Sequence, residues 1–142
     1  MRAGTENVYG VVGFARALEL ATANHAADSA HIRGIKVYMM EQLEKQMKGI
    51  SFNGDPLGRS LYTVLSVSFP KTERSEMLLF NLDIHGICSS GGSACTSGVE
   101  QGSHVIRAIN NNPNQVTVRF SFSKNNTRDQ VDTAVAKLKE LI

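Results

Sequence analysis

The chain has 142 residues, of which 42% are apolar and 20% charged, and it carries a formal net charge of +2. That is enough for one domain burying roughly 70% of its unfolded surface, and it excludes disorder as the main state. The cations are scattered, so no basic stripe marks a nucleic-acid surface, and no apolar run reaches the roughly 18 residues of a membrane span.

"MRAGTENVYG" at 1–10 passes through a Gly-Thr turn straight into a helical pattern, with no opening strand. It reads either as a stretch from inside a longer protein or as a natural short one. From Glu6 onward, Val8, Val11 or Val12, Ala15 and Leu18 recur at three- and four-residue steps and predict an amphipathic helix. "TANHAAD" at 22–28 is weaker and predicts a break or bend. Ile35, Met39, Leu43 and Met47 then give a second helical stretch that Gly49 can close.

Ile50 to Phe52 predicts a short strand, and Asn53-Gly54-Asp55-Pro56 a turn. "YTVLSVSF" alternates Leu65, Val67 and Phe69 with Val64, Ser66 and Ser68, a strand ending at Pro70. Ser75 is placed to cap a helix over "EMLLFNLDIH", with Gly86 as its C-terminal glycine. Ile87 to Ser89 predicts another short strand, and "SHVIRAI" a brief helix stopped by "NNNP". "VTVRFSF" alternates again, with Val116, Val118 and Phe120 on one face. Thr127 and Gln130 form a capping box for a last helix carrying Val131, Val135, Leu138 and Leu141. The order predicts an α+β domain, a small antiparallel or mixed sheet with helices packed on one side.

Three groups of residues could carry chemistry. "SSGGSACTSG" at 89–98 holds Cys95 among small residues, with no histidine, acid or base. Its glycines predict an exposed, mobile segment whose thiol can travel, or a plain surface loop with an incidental cysteine. His85, Cys88 and Cys95 lack the paired close spacing and fourth ligand of a metal site. Cys88 reads instead as a small buried residue. Arg119 points away from Val118 and Phe120. It belongs either to a solvated outer face or to a fork that binds a carboxylate. Two cysteines without an export signal suggest a reducing, cytoplasmic setting.

"RAGTEN", "SSGGSACTSG" and "VRFSFSKNNTRDQVD" occur in an order and spacing that resembles the C-terminal part of the pyridoxal-phosphate-dependent cysteine desulfurases. The resemblance spans essentially the whole chain and points to the branch with a long cysteine loop. It implies the small domain of a fold-type I enzyme, with residues 1–142 forming one domain of a larger, homodimeric protein. On that resemblance, Cys95 is the nucleophile that takes sulfur from L-cysteine and hands it to an iron–sulfur scaffold or thiolation enzyme. Thr5 contacts the pyridoxal phosphate of the neighbouring subunit, and Arg119 binds the substrate carboxylate. The family's cofactor-linking lysine follows a Ser-His pair that precedes none of the seven lysines here. The aspartate that faces the pyridine nitrogen is also absent from the matching part. The isolated chain is therefore expected neither to link the cofactor nor to turn over cysteine. A selenocysteine lyase, another aminotransferase-like enzyme, or a non-enzymatic sulfur-relay module are the alternatives.

Overall fold

In the computed structural model the described residues are 3–91, 103–109 and 112–142. Cys95 lies outside them. The two helical patterns at the N-terminus are one helix, α1 (Val8–Gln46), 39 residues long. The expected break at 22–28 does not occur. Ala21, Ala23, Ala26 and Ala27 are strong helix formers, and the polar side chains bond back onto the helix. Asn24 Nδ2 donates to the Leu20 carbonyl at 2.9 Å and Ser29 Oγ to that of Ala26 at 3.1 Å, so neither competes for a non-helical backbone. Asn7 caps the helix by accepting from Gly10 N–H at 3.1 Å.

The two halves of α1 differ in what they touch. Ile32, Ile35, Met39, Met40 and Leu43 are buried, whereas every residue from Val11 to Ala27 is exposed. The first contacts with the body are at His25, edge-on to Tyr62, at Asp28, whose Oδ2 lies 3.8 Å from Lys124 Nζ, and at His31, whose Nε2 lies 2.9 Å from the Asn126 carbonyl.

The sheet has three strands in the order β1 (Ser51–Phe52), β2 (Val64–Pro70), β3 (Gln115–Ser121). Both pairings are antiparallel, with Ser66 opposite Arg119 and Ser68 opposite Thr117. Leu65, Val67, Phe69, Val118 and Phe120 point inward against α1, α2 (Leu78–Ile84) and α4 (Arg128–Leu141), as the alternation predicts. The capping box of α4 forms, with Gln130 N–H donating to Thr127 Oγ1 at 3.3 Å and Thr127 N–H to Gln130 Oε1 at 3.2 Å.

Three local expectations need correction. Ser75 does not cap α2; a 3-10 turn, Arg74–Met77, comes first. Ser75 is fully buried, and Thr72 is the capping residue, its Oγ1 accepting from Ser75 N–H at 3.2 Å while Ser75 Oγ accepts from Thr72 N–H at 2.8 Å. Ile87 to Ser89 forms no strand; pairing is a single antiparallel bridge between Ser90 and Arg119. Cys88 is exposed rather than buried, because Gly86, at φ 73°, turns the chain out of α2. Among the described residues no helix is long and apolar enough to cross a membrane.

Candidate functional site

The face of the sheet away from the core is polar. Asn53, just after β1, ties it together: its Nδ2 donates to Ser66 Oγ at 3.1 Å and to Ser68 Oγ at 2.9 Å, and Ser68 Oγ also lies 3.0 Å from Thr117 Oγ1. Ser68 is only 1% exposed, and its hydroxyl is satisfied by these partners, as a buried polar group must be. Above this floor is an open cleft of about 230 Å³. Asn53, Ser66, Thr117 and Arg119 form its polar side, and Val105, Ile106 and Ile109 of α3 (His104–Ile109) its apolar wall. The volume lies below the roughly 300–1,000 Å³ of sites for drug-sized ligands and suits a small metabolite.

Among the described residues, Arg119 contributes the one positive charge lining this cleft. Its side chain is exposed, opposite the buried Val118 and Phe120, as strand alternation predicts. Its Nε–H donates to Ser90 Oγ at 3.0 Å. The two Nη groups have no partner among the described residues, and together they make the planar fork that fits a carboxylate. Among the described residues, neither a lysine nor a carboxylate lines the cleft.

Thr5 is exposed and lies three residues before Val8, where α1 begins. It does not share the Arg119 cleft. Cys95, the third predicted site residue, lies outside the described residues, but Gly91, four positions before it, lines the cleft. Asn53 and Ser90 were not singled out in the sequence. Asn53 reads there as turn chemistry, and the partner of Ser90 is 29 residues away. A larger groove of about 490 Å³ lies beside Arg74, Met77, Phe80 and Glu140. A hydrogen bond from Lys137 holds the Glu140 carboxyl below the usual carboxylate range, and no predicted site residue lines that groove.

A three-stranded antiparallel sheet with its core helices on one face, and a polar cleft carrying Arg119 on the other, defines an α+β domain of the kind found in fold-type I pyridoxal-phosphate enzymes. The model of the family "Aminotransferase class-V" matches residues 1–134, and the chain belongs to that family. It is 35% identical over 144 residues to "Putative cysteine desulfurase IscS 1" of Bacillus subtilis (strain 168), covering 99% of this chain and 38% of that protein. It is 32% identical to "Cysteine desulfurase IscS" of Dictyoglomus turgidum, covering 36% of it. The structure superposes on a NifS-like protein from Rickettsia africae ESF-5 with a TM-score of 0.77 at 25% identity, over 99% of this chain and 36% of that one. The chain thus spans a little over a third of the length of these relatives.

The residues present fit part of what pyridoxal phosphate needs. The Thr5 hydroxyl, without a partner among the described residues, is suited to one phosphate contact, and the Arg119 fork to the carboxylate of an amino acid beside the cofactor. Among the described residues no lysine stands in the cleft to link the cofactor covalently.

Proposed function

We propose that this chain forms the small domain of a cysteine desulfurase, which takes sulfur from L-cysteine and leaves L-alanine. The observation that carries the reading is the Arg119 fork in a cleft of amino-acid size, with the chain leading to Cys95 starting at its rim. Arg119 binds the substrate carboxylate through its two Nη groups and so fixes the amino acid's orientation, which lowers the entropic cost of reaction. The apolar wall from α3 limits water on one side. Bound pyridoxal phosphate supplies the electron sink that lets the substrate's carbon–sulfur bond break.

Cys95 takes the sulfur. Four residues of extended chain allow it to lie up to about 14 Å from Gly91, within reach of the Arg119 cleft. Its thiolate attacks the substrate Sγ. A sulfur–sulfur bond forms as the Cβ–Sγ bond breaks, the bonding pair stays on carbon, and a proton completes the methyl of alanine. A free thiol with a pKa of about 8.5 is only a few per cent ionised at neutral pH, so the base that activates it belongs to the rest of the enzyme. Cys95 then passes the terminal sulfur to an acceptor protein.

Thr5 and Arg119 serve different sites in this reading. Thr5 reaches a cofactor phosphate in a second subunit, which is the homodimer the family resemblance implies. The cofactor-linking lysine belongs to a further domain, and residues 1–142 alone neither link the cofactor nor convert cysteine. The test combines the enzyme carrying this domain with L-cysteine and follows alanine release and the mass of Cys95. One added sulfur on Cys95, and none in Cys95→Ser, is the expected result. Sulfur on Cys88 instead of Cys95, or alanine released by the 142-residue chain with pyridoxal phosphate, overturns the assignment.

A further inference from the structure

The guanidinium that the proposed function relies on stands on an exposed strand position, where a long side chain samples many rotamers. One neighbour removes that freedom. Arg119 N–H donates to the Ser90 carbonyl at 2.7 Å and Ser90 N–H to the Arg119 carbonyl at 3.0 Å. These two bonds make a hydrogen-bonded antiparallel pair, in which the two side chains stand side by side. Across it the Arg119 Nε–H donates to Ser90 Oγ at 3.0 Å, while the serine's own proton faces the Arg119 carbonyl at 3.5 Å. The alternative hydroxyl is engaged elsewhere: Ser66 faces Arg119 across β2 and β3, but its oxygen accepts from Asn53 at 3.1 Å.

We propose that Ser90 is the positioning residue of the Arg119 fork: its hydroxyl holds Nε and turns the Nη edge into the cleft toward a substrate carboxylate. The inference rests on the carboxylate role of Arg119 and deepens it. Ser90 itself does not touch the substrate. Because an arginine fork binds a carboxylate through two parallel bonds, fixing one edge of the plane sets the direction of the other.

The test uses the 142-residue chain, with nitrogen-detected NMR of the arginine side chains and L-alanine as the carboxylate probe. Arg119 Nε–H should exchange with solvent slowly in the native chain and in Ser90→Thr, which keeps the hydroxyl. In Ser90→Ala it should exchange roughly tenfold faster, and L-alanine should bind roughly three- to tenfold more weakly. Should Ser90→Ala not fold, Ser90→Val against Ser90→Thr compares the same shape with and without the hydroxyl. Equal Nε–H exchange in the presence and absence of the hydroxyl overturns the proposal, as does hydroxyl-dependent exchange with unchanged L-alanine affinity. If L-alanine leaves the Arg119 Nη signals of the native chain unmoved, the carboxylate reading fails first and the positioning role falls with it.

Discussion

Two glycines in α1 offer a matched pair of substitutions. Gly13 and Gly34 are both exposed, both helical, and a Cβ added at either meets nothing within 4 Å. Gly→Ala at such sites stabilises a helix by about 0.5–1 kcal/mol, through the freedom it removes from the unfolded chain. The two positions differ only in what surrounds them along the helix. Gly34 lies between Ile32 and Ile35, both buried in the core, so its gain should appear in full in global unfolding. With a urea slope of about 2 kcal/mol/M, the midpoint should rise by roughly 0.3–0.5 M. Gly13 sits in the exposed stretch before His25, among the β-branched Val8, Val11 and Val12 that lower helix propensity. Gly13→Ala should leave the global midpoint unchanged and instead slow local hydrogen exchange between Val8 and Asn24. Tyrosine fluorescence in a Tyr9→Phe background, which leaves Tyr38 and Tyr62 as reporters, follows the first quantity and exchange mass spectrometry the second. An equal midpoint shift from both substitutions would refute the division of α1 into a coupled and an uncoupled half.

The polar floor of the cleft gives a second prediction. Asn53→Ala leaves the buried Ser68 hydroxyl with Thr117 as its remaining side-chain partner and should cost about 1–2 kcal/mol in urea unfolding. Ser68→Ala made on top of it should cost less than Ser68→Ala alone, and simple additivity would contradict the network. A third prediction concerns Lys36, which is 3% exposed and donates to the Leu61 carbonyl at 3.0 Å. Burial lowers its pKa below the ordinary lysine value, with Arg33 adding to the effect and Asp55 opposing it. The unfolded chain then holds more protons than the folded one between the lowered pKa and the ordinary value. Stability should therefore rise with pH through that window and flatten in Lys36→Met. Tyr38 works in the opposite sense, because its hydrogen bond to Asp132 raises its pKa. Stability is lost as pH rises past the ordinary tyrosine value, so the Lys36 slope is cleanest in Tyr38→Phe. A slope unchanged by Lys36→Met removes the argument.

Where the determinants are local, the sequence was readable. The capping box of Thr127 and Gln130 lies within a single turn, and the two alternating strands state in their own pattern which face is buried. Asn24 misled because the same side chain that favours turns can also bond to a helical carbonyl, as it does with Leu20, and the surrounding alanines favour the helix. Ser75 misled for a related reason: Thr72 and Ser75 cap each other reciprocally, and the choice of which begins the helical segment depends on burial. The cleft was half visible. Strand alternation turned Arg119 outward, but its pairing with Ser90 and the reach of Asn53 across β2 are long-range contacts with no local signal. The family motif supplied Cys95, Thr5 and Arg119 together, although Thr5 does not line the Arg119 cleft.

The free half of α1 also has a mechanical meaning. From His25 back to Val8 the helix extends about 25 Å at 1.5 Å per residue, and among the described residues its contacts with the body begin at His25. A tilt of about 5° at the held end would swing the far end by roughly 2 Å, nearly the length of a hydrogen bond. The phosphate contact proposed for Thr5 needs finer placement than this anchorage gives. On that proposal the precision comes from the far end, through a surface that meets the exposed Val8, Tyr9 and Phe14.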